Sequence, residues 1–251
     1  MNRLALLLAS LLLAAVPLQA AEIPDYIAKA VAAPERSDKD RERDARDEPA
    51  ELLTFAGLKP GMKVADLLGG GGYWSEIIVR AVGPTGSVTL VNNAPYYNYG
   101  QEDIKTRFGK DRLKEVKRRV VETADMDMGK DQYDLITIYL SYHDIYWVDE
   151  EGGWPKINAD RFVTQLHDAL KPGGHLLVVD HAAKEGSGKA AAQDLHRIEE
   201  AFTKKDFASH GFLLEKAWPG FRNSADDHTK GVFDEAIRGK TDRFTHLYRK
   251  N

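Results

Sequence analysis

Three short segments carry the side chains best suited to acid–base chemistry: Tyr142-His143-Asp144, Asp180-His181 and Leu195-His196-Arg197. Imidazole exchanges protons near neutral pH, and a carboxylate beside it fixes which ring nitrogen holds the proton. The first segment leaves an apolar, β-branched run from Tyr133 to Leu140, and the second ends a similar run that begins at His175. Runs of this kind are buried strands. In a parallel sheet ligands gather beyond the carboxyl ends of the strands, so His143, Asp144, Asp180, His181 and His196 are expected to converge there. His143, Asp144, His181 and His196 are the catalytic candidates, with His143 as base or orienter. The plain alternative is a histidine that caps a strand or holds a loop. The set has ligand types that suit a divalent ion, but no short metal-binding spacing accompanies it and no metal is assigned. Arg197 would orient an acidic substrate or, more simply, pair with Asp194 or Glu200 at the surface. Tyr146, Trp147 and Trp154 would wall an aromatic or lipidic substrate or pack their loop, and Asp226-Asp227-His228 lies in a late loop that could act as a lid.

A second constellation is Val64-Ala-Asp-Leu-Leu-Gly-Gly-Gly-Gly-Tyr-Trp-Ser75. A short apolar run reaches Asp66, passes through Gly69 to Gly72, and re-emerges as an amphipathic stretch from Trp74 to Val82. That is strand, tight turn and helix. Glycines cost backbone entropy, so four together imply a close approach to the main chain. A helix N-terminus aimed at that spot offers unpaired N–H groups and partial positive charge, which suit a small anionic or zwitterionic ligand.

The elements that position these groups alternate along the chain. Strands are expected over Lys63–Leu67, Ser87–Asn92, Val116–Val121, Tyr133–Leu140, His175–Asp180, Phe212–Ala217 and Phe244–Arg249. Helices are expected over Ala50–Ala56, Trp74–Val82, Glu102–Phe108, Ala159–Leu170 and one long amphipathic segment, Ala190–Ala208. Alternation of this kind means a parallel sheet with helices on both faces. The last two strands are read as an antiparallel pair at one edge. By the same carboxyl-end rule, Asn92-Asn93 follows the second strand and Ala124-Asp125-Met126 the third.

The chain has 251 residues, 35 basic and 39 acidic side chains and no cysteine. The net charge of −4 argues against a nucleic-acid partner. Asn2-Arg3, the apolar run Leu4–Val16 and the small residues up to Ala21 read as a signal peptide cut after Ala20 or Ala21. With no cysteine for a lipid anchor or a disulfide, the mature chain is expected to be periplasmic or secreted, without a membrane span once the leader is gone. Residues 1–21 are thus the leader, 22–49 a charged arm, and 50–251 the main domain. The arm's run from Arg36 to Glu48 alternates in sign and reads as a solvated helix laced with local ion pairs, or as a flap over a ligand. Nothing fixes the oligomeric state.

Four segments follow one another in the order and spacing of a known family: Val64 to Trp74, Val82-Gly-Pro-Thr-Gly-Ser-Val88, Tyr133-Asp-Leu-Ile136, and Leu170-Lys-Pro-Gly-Gly-His-Leu-Leu-Val-Val-Asp180. On these segments the chain resembles class I S-adenosylmethionine-dependent methyltransferases, from about Ala50 to Tyr248. Its last stretches, Phe221 to His228 and Arg238 to Phe244, resemble a group of predicted exported methyltransferases. The resemblance implies an α/β, Rossmann-like three-layer sandwich with a seven-stranded, mostly parallel sheet and an antiparallel last strand. It implies methyl transfer to a small-molecule acceptor, with the cofactor across Asp66, Gly69, Gly70, Gly72, Tyr73, Asn92, Asp125 and Met126, the last two beside the adenine. Two residues depart from the family's pattern. Leu68 stands at the first glycine of Asp-x-Gly-x-Gly-x-Gly, and Asn92 stands where a carboxylate grips the ribose hydroxyls. Losing that charge weakens the grip by about 1 kcal/mol or more. Both departures favour one alternative, a non-catalytic binding protein on this fold. The other alternative is an NAD-dependent oxidoreductase, against which stand Ser75 at the third glycine of Gly-x-Gly-x-x-Gly and the missing later acid.

Overall fold

The computed structural model describes residues 22–251; the leader expected over 1–21 lies outside the described residues. Helices α1 (Asp25–Val31), α2 (Asp38–Asp47) and α3 (Pro49–Phe55) precede β1 (Lys63–Leu67) and α4 (Tyr73–Val82). Then come β2 (Ser87–Asn92), α5 (Ala94–Tyr99), α6 (Gln101–Phe108), β3 (Val116–Val120) and β4 (Tyr133–Tyr139). A single 3-10 turn over His143–Ile145 leads to α7 (Ala159–Ala169), β5 (Leu170–His181), α8 (Ala191–Leu195), α9 (Glu200–Ser209), β6 (Phe212–Ala217) and β7 (Arg243–Lys250).

The strands form one seven-stranded sheet in the order β3-β2-β1-β4-β5-β7-β6. β1 to β5 pair in parallel, and β7 runs antiparallel to both β5 and β6. This is the expected three-layer α/β sandwich with a reversed last strand. A dinucleotide-binding sheet would instead continue with a parallel sixth strand beside the fifth. One face of the sheet buries Ile27, Leu52, Leu53, Ile77 and Ile78 from α1, α3 and α4. The other buries Phe162, Leu166 and Phe207 from α7 and α9. Both faces are covered, so the central strands are apolar almost throughout. Register sets the working edge: Leu67 lies opposite Val91 and Ile138, so the chain leaves β1, β2 and β4 at one level.

Two expectations need correction. The segment Ala190–Ala208 is not one helix. It breaks after Leu195, where His196 takes a left-handed backbone (φ 51°). No glycine or proline signals the break, because it is imposed from outside the segment. The Ile198 N–H donates to the His181 carbonyl and the Ala183 N–H to the Ile198 carbonyl, both at 3.0 Å, so 196–199 runs as a short extended piece beside the end of β5. Two strand-type hydrogen bonds and a buried arginine outweigh a modest helix propensity.

The charged run after Arg36 is helical, as α2, with Ser37 capping it (Asp40 N–H to Ser37 Oγ, 3.2 Å). It is not merely solvated. Asp40 and Asp47 turn inward and are buried. Asp40 is gripped by both Arg107 nitrogens at 2.7 and 2.9 Å. Asp47 meets Arg43, Arg46 and Arg243.

Candidate active site

The chain leaves β4 through Ser141 into the 3-10 turn, which carries His143 and Asp144 inward; His143 is 3% exposed. β5 ends on Asp180-His181 next door. Asp180 takes hold of His143 twice, accepting from the His143 amide at 2.8 Å and from ring Nδ1 at 2.6 Å. The ring's other nitrogen, Nε2, then lies 3.2 Å from Asp144 Oδ1. His196 Nδ1 reaches the same oxygen at 3.2 Å. The His181 ring stands 5.7 Å from that of His143 and its Nδ1 contacts the Thr241 hydroxyl at 2.7 Å. All four catalytic candidates are therefore gathered in one cluster. The break at His196 is what brings the third histidine in.

Charge within the cluster is unequal. Burial opposes a charge on His143, but the Asp144 and Asp180 carboxylates outweigh it and push its pKa up to about 10. Burial also opposes the charge on Asp144, yet His143, His196 and Tyr96 hold its carboxyl below the usual range. His181 goes the other way: burial, then the charge on His143, keep it well below the ordinary imidazole value. At neutral pH His143 is therefore an imidazolium clamped between two carboxylates, which suits an orienting role better than that of a resting base.

The glycine turn has a different character. Asp66 is buried and accepts from Ser75 Oγ at 2.7 Å and Thr137 Oγ1 at 3.1 Å. Burial raises its pKa despite those bonds. A Cβ on Gly69 would sit 2.6 Å from its carboxylate, which is why that position is glycine. Leu68 holds φ 49°, the left-handed region the family's glycine adopts freely, and its side chain is only 4% exposed. The backbone thus keeps the glycine path while carrying a leucine. Asn92 is spent on the turn itself: Gly70 N–H donates to its Oδ1 at 3.0 Å and its Nδ2 donates to Gly70 O at 2.9 Å. α5 and α6 roof the turn so closely that a Cβ on Gly100 would lie 2.5 Å from Gly70 and Gly71 backbone. Tyr73 points away, its hydroxyl donating to Asp44 at 2.6 Å under the Arg43 guanidinium.

The hollow where the resemblance puts the cofactor is lined by Leu67, Leu68, Asn92, Thr123, Met126 and Phe162, among others. It has no room for a water-sized sphere, whereas ligand pockets start near 300 Å³. Met126 lines it, but the Asp125 side chain is 79% exposed and faces Arg161 at 3.9 Å. The main chain follows a left-handed turn into a helix N-terminus, the course the resemblance implies. The side chains of Leu68 and Met126 close the space the cofactor needs.

Sequence reasoning missed Tyr96, whose hydroxyl donates to Asp144 Oδ2 at 2.6 Å from a short helix with no periodic signal. It also missed Thr241. Arg197 is no surface residue: fully buried, it pairs with Asp226 at 2.9 Å and donates to the Ala182 and Lys230 carbonyls. It staples the late loop to the end of β5, so Asp226 is an anchor. Trp147 and Trp154 pack on each other (centroids 5.5 Å apart), and the Trp154 indole donates to the Asp144 carbonyl at 3.0 Å.

No family model matches the chain. It is similar to the ubiquinone/menaquinone biosynthesis C-methyltransferase UbiE of Shewanella pealeana, with 28% identity over 165 residues, 65% of this chain and 58% of that protein. The matches span 58 to 62% of the length of the first three such relatives. Among solved structures, an S-adenosylmethionine-dependent methyltransferase from Aquifex aeolicus superposes with TM-score 0.58 at 19% identity, over 86% of this chain and all of that one. The [4+2]-cyclase SpnF superposes with TM-score 0.56 at 15% identity, over 84% of this chain and 81% of that one. The sequence relatives carry the name of a C-methyltransferase, and the structural neighbours share the fold of this chain. The cyclase is a reminder that the fold alone does not choose the reaction.

Proposed function

We propose that this chain transfers a methyl group from S-adenosylmethionine to a small-molecule acceptor held beside His143. The observation that carries this reading is the sharing of one sheet edge by two features: the Asp66–Tyr73 turn beyond β1, and the His143–Asp144–Asp180–His181 cluster beyond the neighbouring β4 and β5. The cofactor, when bound, supplies an electrophilic methyl group. The chain's own residues have to present the acceptor in line, which is mainly a matter of orientation. Asp180 and Asp144 fix the His143 ring, and His181 and His196, each engaged through Nδ1, offer Nε2 to an acceptor oxygen. Trp147 and Phe233 flank His196 at 5.1 and 5.0 Å and suit an acceptor with an apolar ring. The reading requires Leu68 and Met126 to withdraw when the cofactor enters.

A second reading has its own support, the filled hollow: a protein of this fold that binds a ligand at the histidine cluster and performs no methyl transfer. Calorimetry with S-adenosylmethionine and S-adenosylhomocysteine separates the two. A ligand at 100 times its dissociation constant raises stability by about 2.7 kcal/mol. A shift with both compounds and none with NAD supports methyl transfer; no shift with either at millimolar concentration rejects it in favour of the second reading.

Export is part of the proposal. It is supported by Asn2-Arg3, the apolar stretch Leu4–Val16 and the small residues that follow. Among the described residues no helix is long and apolar enough to cross a membrane. N-terminal sequencing of protein from the cell exterior should begin at Ala21 or Glu22; a chain beginning at Met1 in the cytoplasm contradicts export.

A further inference from the structure

We propose that His143 Nε2, Asp144 Oδ1 and His196 Nδ1 form a site for one divalent transition-metal ion, a claim that stands apart from the methyl-transfer reading. One ligand atom from each of these three residues lies within 4.8 Å of the other two. Asp144 Oδ1 is 3.2 Å from each imidazole nitrogen. Two ligand atoms each about 2.1 Å from a zinc ion stand roughly 3.2 to 3.4 Å apart at near-tetrahedral angles. The donors are thus already spaced as ligands.

Three further observations mark a built site and not a chance cluster. First, Asp180 grips His143 through Nδ1 (2.6 Å) and the backbone amide (2.8 Å), which turns Nε2 toward the other two donors. A carboxylate behind the far nitrogen is the arrangement that orients metal-bound histidines. Second, the Tyr96 hydroxyl occupies Asp144 Oδ2 at 2.6 Å, leaving Oδ1 to the ion. Third, His196 takes a left-handed backbone at φ 51° and the next residues are fixed by the strand-like hydrogen bonds of Ile198 to the end of β5. The chain breaks a helix to deliver this ring.

The site also has an approach. The His196 side chain is partly exposed beside Phe233, whose ring centre lies 5.0 Å away and which is itself 62% exposed in the loop before β7. Two imidazoles and one carboxylate leave coordination positions open, as in catalytic zinc centres. Those positions would take an anionic or hydroxyl oxygen of a small molecule. Magnesium and calcium prefer an all-oxygen shell and are poorly served here.

The test is titration calorimetry of the intact, chelator-stripped protein with Zn²⁺ alone, and separately with Mg²⁺. One zinc per chain and no heat with magnesium are expected. His196→Ala and Asp144→Asn should each weaken zinc binding at least 100-fold. Asp180→Asn, which touches no ion, should weaken it about 10- to 100-fold. His175→Ala, in the middle of β5 and paired with Glu215 away from the cluster, should leave it unchanged. If the first two variants fail to fold, the wild-type chain still provides a readout: Zn²⁺ should raise its Tm in a manner reversed by EDTA, and Co²⁺ should give visible absorption bands. Zinc that binds a folded His196→Ala chain as tightly as wild type, or that neither binds nor shifts Tm in the wild type, overturns the proposal.

Discussion

The two ends of one sheet edge treat their polar groups in opposite ways. Beyond β1 and β2 nearly every polar atom is satisfied within the chain. Asn92 closes on Gly70, Asp66 is taken up by Ser75 and Thr137, and Leu68 and Met126 fill the space between. Beyond β4 and β5, two imidazoles share one carboxylate oxygen at 3.2 Å, longer than a good charge-assisted bond. The first end is finished as it stands, and the second holds binding capacity in reserve. A motif's main-chain course can therefore stand where its side chains leave no room, while the histidines and carboxylates gather beyond the next two strands.

The sharpest way to break this comparison is His143→Ala. Methyl transfer should fall at least 100-fold, about 2.7 kcal/mol or more in barrier, with S-adenosylhomocysteine affinity within twofold of wild type by calorimetry. Unchanged turnover removes the histidine cluster from the reaction. Leu68→Gly probes the closed end. It should admit S-adenosylhomocysteine about tenfold more tightly while lowering stability in urea by about 2 kcal/mol, because relief of the left-handed strain offsets only part of the lost packing. Unaltered affinity would mean that Leu68 does not obstruct the hollow. Asn92→Asp replaces a donor facing the Gly70 carbonyl with a second acceptor and should cost about 1–3 kcal/mol. If the acid tightens cofactor binding at no cost in stability, Asn92 is a ribose ligand after all and not a staple.

The mildest effect is a pH dependence away from both ends. Burial raises the carboxyls of Asp40 and Asp47, but Arg107 on the one and Arg46 and Arg43 on the other prevail and hold both below their ordinary range. A folded-state value below the unfolded one, about 3.9 for aspartate, gives stability that is complete above that pH and fades as pH falls through the folded values. Amide protection factors over α2, corrected for the intrinsic exchange rate at each pH, should therefore fall below about pH 4 and stay flat from pH 5 to 8. Protection that is level down to pH 3 would show that these ion pairs do not hold the arm.

Much of this architecture was legible from residue pattern. The seven strands follow from apolar runs and turn residues, and the reversed β7 from its place after β6. The convergence of His143, Asp180 and His181 follows from strand order alone. What could not be read was decided by partners far along the chain. Nothing near Leu195 signals a helix break, because its cause is hydrogen bonding to His181 and Ala183. Nothing in the run after Arg36 says which carboxylates turn inward, because the arginine that meets Asp40 is 67 residues away. Leu68 announced a departure from the glycine pattern. That the backbone would hold its left-handed path regardless is visible only in three dimensions.

Asp47 and Arg243 meet across 196 residues, at 3.3 Å, with Arg243 also donating to the Arg46 carbonyl. A polypeptide that emerges N-terminus first carries that aspartate without this partner until β7 has been made. The opening helices can coil early, but their final latch arrives with the closing strand, so a chain cut short before residue 243 should leave its beginning unfastened as well as its end.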